Sequence, residues 1–105
     1  MSGRGPENHE PEALAEVLNA LGHPVRVRVI KSYDDGIKLS PSKLQDTMSD
    51  IPLGTLAYHV RQLADAGMLK RAGSVTRRGA IEHLYVLTPR GKRVAGVLDE
   101  LQARL

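Results

Sequence analysis

The 105-residue chain contains no cysteine, no phenylalanine and no tryptophan. The first absence excludes disulfides, thiolate metal sites, iron-sulfur clusters, cysteine nucleophiles and thiol redox sensing together. The other two leave Tyr33, Tyr58 and Tyr85 as the only aromatics, so a core has to be built from 14 Leu, 9 Val and 4 Ile through many small contacts. No apolar run approaches the roughly 20 residues that a membrane helix needs, and no apolar signal core follows Arg4. A cytoplasmic protein without membrane contact is expected.

What is present suits one compact domain: 41% of residues are apolar and 26% charged. A chain of this length buries a limited share of its surface, and pairing with a second copy supplies missing burial. The net charge of +3 is unevenly spread. Residues 1–22 hold Arg4 against Glu7, Glu10, Glu12 and Glu16. Between residues 68 and 93, Lys70, Arg71, Arg77, Arg78, Arg90, Lys92 and Arg93 face only Glu82. A basic stretch clustered around turn residues is the footprint of a docking polyanion, against the plainer reading of a solvated surface.

Residues 1–11, with Gly3, Gly5, Pro6 and Pro11, read as a disordered arm, and residues 12–105 as the folded domain. Leu14, Val17, Leu18 and Leu21 fall at helical spacing until Gly22 and Pro24 stop the run. A second helix opens at Pro24, buries Val27 and Ile30, and ends near Asp34-Asp35-Gly36. Ile37-Lys38-Leu39 is long enough only for an edge strand. Ser40-Pro41 starts a third helix with Leu44 and Met48 inward, and a fourth over 53–66 buries Leu56, Val60 and Leu63 before Gly67. Residues 68–71 and 80–87 read as two strands joined by a loop over 72–79 with a basic tip, the register open. Thr88-Pro89 caps a last helix. Its stripe of Val94, Val97, Leu98 and Leu101, with Leu14, Val17 and Leu18 of the first helix, reads as a dimer surface; simple packing on the core is the alternative.

This order predicts an α+β, mainly α, winged helix-turn-helix with five helices and a two- or three-stranded antiparallel wing. Burying Leu56, Val60 and Leu63 turns Gly54, Thr55, Ala57, Tyr58, Arg61 and Gln62 elsewhere, which makes them the candidate reading face for double-stranded DNA. Gly54 and Ala57 permit close approach to a major-groove floor. Thr55, Arg61 and Gln62 offer hydrogen bonds to base edges or phosphate, and Tyr58 can stack or donate. Arg77 and Arg78 at the hairpin tip suit phosphate or minor-groove contact, whereas Lys70 and Arg71 read as solubilising.

The stretches Leu21-Gly22-His23-Pro24-Val25-Arg26-Val27-Arg28-Val29-Ile30 and Leu56-Ala57-Tyr58-His59-Val60-Arg61-Gln62-Leu63-Ala64-Asp65-Ala66-Gly67 resemble the ArsR-type winged-helix transcriptional regulators of bacteria. Arg78-Gly79-Ala80-Ile81-Glu82-His83-Leu84-Tyr85 is similar to the second wing strand of many members. The resemblance covers about Leu14 to Arg104. It implies a homodimer, joined through its first and last helices, that represses promoters from a palindromic operator. It also implies a fold or backbone role for Arg26 and a place for His59 at the edge of the reading helix, against a plain structural histidine. Founding members sense metals through cysteine pairs near the third helix or acidic and histidine ligands on the last; this chain carries neither set.

His9, His23, His59 and His83 show no zinc-ligand spacing, and no nucleophile elbow, phosphate loop or acid-base pair suggests an enzyme. No metal or cofactor is expected. Two rivals stand beside the DNA-binding regulator: a winged helix that docks a protein partner, and a sensor of a small organic effector that no residue cluster identifies.

Overall fold

The computed structural model describes residues 10–105, so nearly all of the expected arm, His9 included, lies outside the described residues. Five helices and one hairpin follow in order: α1 (Glu10–Ala20), α2 (Pro24–Lys31), α3 (Pro41–Gln45), α4 (Leu53–Asp65), β1 (Leu69–Arg77), β2 (Ala80–Leu87) and α5 (Pro89–Arg104). α1 begins two residues before the expected boundary and takes in Pro11, which the first turn tolerates because its missing amide would have no helical partner there.

Three helices start on the same device, a capping side chain followed by proline. His23 Nδ1 accepts from the Val25 amide, Ser40 Oγ from Lys43, and Thr88 Oγ1 from Gly91, ahead of Pro24, Pro41 and Pro89. The end of α4 is equally determined. Gly67 takes φ +78°, the Met68 amide donates to Leu63 and that of Gly67 to Ala64, so two orphan carbonyls are satisfied by a Schellman turn. That turn reverses the chain into β1.

The core gathers around one face of α4. Leu56, Val60 and Leu63 are fully buried against Val29 and Ile30 of α2, Leu44 of α3, and Met68 and Leu69 entering the hairpin. Tyr85 and Leu87 settle the β2 face left open by pattern alone: they turn inward, and Ile81 lies out on the wing. Leu39 exchanges backbone hydrogen bonds with Tyr85 (3.0 and 2.9 Å), an isolated bridge that ties the α2–α3 connection to the two-stranded wing. The Tyr33 hydroxyl donates to the Leu39 carbonyl, and burial pushes this phenol far above its usual range.

The hairpin is longer than its sequence suggests. β1 continues to Arg77 and pairs antiparallel with β2 from Leu69↔Leu87 to Arg77↔Ala80. The expected loop over 72–79 shrinks to Arg78 and Gly79, whose φ of 51° and 82° make a tight turn of the primed kind that matches strand twist. Gly73 instead occupies a bulge, at φ 115°, where the register shifts between Arg71 and Ser74. A glycine inside a strand and a glycine opening a loop look alike in sequence, so the pattern alone yields the longer loop.

The helical body and projecting hairpin together form a winged helix-turn-helix. On its surface, Arg28 grips the Asp50 carboxylate through both guanidinium ends (3.0 and 3.2 Å), joining α2 to the segment that leads into α4. That bond holds the Asp50 carboxyl below its usual range.

Candidate nucleic-acid interface

α4 divides sharply between an inner and an outer face. Leu56, His59, Val60 and Leu63 point inward, while Gly54, Thr55, Tyr58 and Arg61 are exposed and Ala57 and Gln62 lie half-buried at the flanks. A Cβ on Gly54 would meet nothing within 4 Å, so the chain's own packing does not require glycine there.

The two flanks have different surroundings. On one, Ala57 and Arg61 border a recess of about 250 Å³ shared with α3 and the wing, where Arg71, Glu82 and His83 also line the wall. Arg71, read from the sequence as a solubilising strand residue, therefore stands beside Arg61 across the recess. His83 joins them. The sequence placed Arg71 in the basic stretch over 68–93 and His83 in the second strand, but nothing in the pattern set them beside Arg61, because their placement depends on the strand register. On the other flank, Gln62 borders a shallow hollow with Glu16, Asn19, Arg26 and Asp65, which separates it from Ala57 and Arg61.

The paired arginines of the hairpin also part company. Arg77 turns back onto the body: its Nη1 donates to Ser42 Oγ (3.1 Å) and lies 4.0 Å from Glu82, and Ser42 in turn donates to Glu82 Oε1 (2.7 Å). Arg78 sits exposed at the turn itself. The wing is thus latched to α3 through Arg77, Ser42 and Glu82, and its outermost cation is Arg78.

His59 does not belong to the outer face. It is 4% exposed, its Nδ1 accepts from Arg26 Nε (3.0 Å), and its ring lies 4.4 Å from that of His23 and 5.3 Å edge-on to Tyr58. Burial lowers its pKa, and the nearby His23 and Arg26 add to the effect. Arg26 reaches further, donating from Nη1 to the Ala20 carbonyl (3.2 Å) and placing its guanidinium 5.8 Å from the Tyr58 ring centre. Half-buried Arg26 thus touches α1, His59 and Tyr58 at once.

The dimer residues read from the sequence fall into two groups. Leu14, Leu18, Val97 and Leu101 are more than half exposed, whereas Val17, Val94 and Leu98 pack partly against the core. Among the described residues, no group of three His, Asp or Glu side chains is placed to hold a metal ion, and no helix is long and apolar enough to cross a membrane.

Comparison with known proteins agrees with this architecture. Residues 21–72 match the helix-turn-helix domain family. The chain is 27% identical over 90 residues to the uncharacterized HTH-type transcriptional regulator MJ1325 of Methanocaldococcus jannaschii, covering 86% of this chain and 96% of that one. Among solved structures, reduced HlyU from Vibrio cholerae is similar at a TM-score of 0.72 with 15% identity, covering 91% of this chain and 95% of HlyU. The transcriptional regulator HlyU from Vibrio vulnificus is similar at 0.67 with 18% identity, covering 96% and 98%. These structural likenesses establish the fold.

Proposed function

We propose that the protein is a DNA-binding transcriptional regulator of the ArsR type, a homodimeric repressor that reads a palindromic operator with α4 and braces the flanking backbone with its wing. The observation that carries this reading is the outer face of α4. Gly54, Thr55, Tyr58 and Arg61 are exposed along a helix whose opposite side is locked in the core, and Arg61 shares a recess with Arg71 of the wing. A glycine that the chain's own packing does not demand, beside two arginines that share a recess, suits entry into a major groove and contact with its phosphates. The name of the relative from Methanocaldococcus jannaschii, an HTH-type transcriptional regulator, supports the regulatory part of this reading.

Two such helices related by a twofold axis enter successive major grooves about 34 Å apart. The test is selection of sheared genomic DNA by the purified protein near physiological salt, followed by sequencing of the retained fragments. A few sharp peaks sharing an inverted repeat are expected. Flat recovery by folded protein overturns the reading and leaves the wing to a protein partner.

A further inference from the structure

A groove of about 520 Å³ lies between α2, the α3–α4 connection and the C-terminal half of α5, and shares no lining residue with the recess beside α4. Its volume falls in the range of pockets that hold small organic ligands, roughly 300–1,000 Å³. Val27, Met48, Leu98 and Leu105 supply apolar walls.

The rim side chains carry one sign of charge. Arg28 and Lys31 line it and no Asp or Glu does. Arg28 is already gripped at both ends by Asp50, which lies just outside the groove. Lys31 is different: among the described residues its ammonium meets only the neutral side-chain amide of Gln102. The rim hydroxyls are committed inward, Ser32 donating to the Arg28 carbonyl and Thr47 to that of Leu44. An apolar trough with one cation lacking a counter-charge is complementary to an apolar body carrying one negative head.

We propose that this groove binds a small amphipathic organic anion, an aliphatic carboxylate whose head pairs with Lys31 and whose chain lies along Val27, Met48, Leu98 and Leu105. Charge complementarity favours this occupant over an apolar face of a second copy. Of the residues assigned to self-association, the groove is lined by Leu98 and Leu101 alone; the exposed Leu14, Leu18 and Val97 lie outside it. The site is also well placed to be felt elsewhere, because Met48 lies on the segment that leads into α4 and Arg28 of α2 grips Asp50 of that same segment.

Sodium decanoate, kept below its micelle-forming concentration, is the probe, with decyltrimethylammonium as the head-group control. Methyl resonances of the full chain are followed during each titration. Saturable shifts confined to Val27, Met48, Leu98, Leu101 and Leu105 are expected with decanoate and not with the cation. Lys31→Glu, a change at an exposed position, weakens binding about tenfold or more, the loss of one charge-assisted contact, while Lys31→Arg retains it. Leu105→Glu, also at the surface, weakens it through the wall. Absence of saturable shifts, equal binding of the two head groups or full affinity in Lys31→Glu overturns the proposal. So do groove shifts that follow protein dilution instead of decanoate, which assign the face to a second copy.

Discussion

Arg26 and His59, 33 residues apart in sequence, meet through a 3.0 Å hydrogen bond in which the guanidinium Nε–H donates to imidazole Nδ1. The same guanidinium donates to the Ala20 carbonyl, so one side chain of α2 ties α1 to α4. The bond requires a neutral histidine. Protonating Nδ1 would set an N–H against an N–H beside a fixed positive charge, in keeping with the downward direction of the His59 pKa.

Stability should therefore depend on pH through His59, with a definite sign. Its folded pKa lies below the ordinary 6.5, so under acid the unfolded chain takes up this proton more readily than the folded one. The contribution of neutral His59 is complete above pH 6.5 and is lost as pH falls through the folded pKa. Urea denaturation between about pH 5 and pH 7.5 should show a steeper acid loss for the natural chain than for His59→Gln, which cannot titrate. Parallel losses in both would remove His59 as the cause.

Two glycines of α5 should respond to alanine with opposite signs. A Cβ at Gly91 would lie 2.1 Å from the Met68 backbone oxygen, which cannot swing aside, and 3.0 Å from Cδ2 of Leu87. Gly91→Ala should cost roughly 3 kcal/mol by forcing α5 away from the hairpin. At Gly96 a Cβ meets nothing within 4 Å, so Gly96→Ala should stabilise by about 0.5–1 kcal/mol through helix propensity. Thermal unfolding of the two variants decides the matter, and a stabilised Gly91→Ala would contradict the close approach.

The wing arginines should separate in DNA binding. Arg78→Asn keeps a residue that tolerates positive φ and removes the tip charge, so affinity falls across all sequences and the salt slope drops by about 1. Arg77→Ala breaks the latch to Ser42 and leaves the Glu82 carboxylate uncompensated beside the recess. Its loss should be partly restored by adding Glu82→Gln. If the second change restores nothing, Arg77 acts by touching phosphate directly and the latch is incidental.

These residues also show where sequence reading succeeds and where it stops. Helix starts were legible because Pro24, Pro41 and Pro89 fix φ and Ser40 and Thr88 stand before two of them as caps, while the cap supplied by His23 shows only in the structure; Gly67 marked the end of α4 by an equally local signal. The outer face of α4 followed from the spacing of Leu56, Val60 and Leu63. What failed depended on distant partners. His59 sits on an edge that helical spacing leaves ambiguous, and its burial is decided by Arg26 and His23. The place of Arg71 beside Arg61 depends on how β1 and β2 pair, and the bulge at Gly73 sets that pairing. The assignment of Arg77 to the body needs Ser42, on an element that no sequence pattern places near the wing.

Self-association is open to a direct test on the surface that α1 and α5 leave uncovered. Leu18 and Val97 are 61% and 60% exposed, with Leu14 and Leu101 at 58% and 53%. Because these side chains contribute little to the protomer's core, Leu18→Glu and Val97→Glu should each leave helix content and thermal cooperativity nearly unchanged. In a dimer the same changes bury a carboxylate among leucines without a partner, a cost of several kcal/mol. Sedimentation should therefore report a dimer for the natural chain and a monomer for either variant. A monomeric protein presents one reading helix, and affinity for an inverted repeat should fall to that for a single half-site. Natural protein that sediments as a monomer bound at an inverted repeat would break the link between this face and operator symmetry. Variants that remain dimeric would place the twofold axis on another surface.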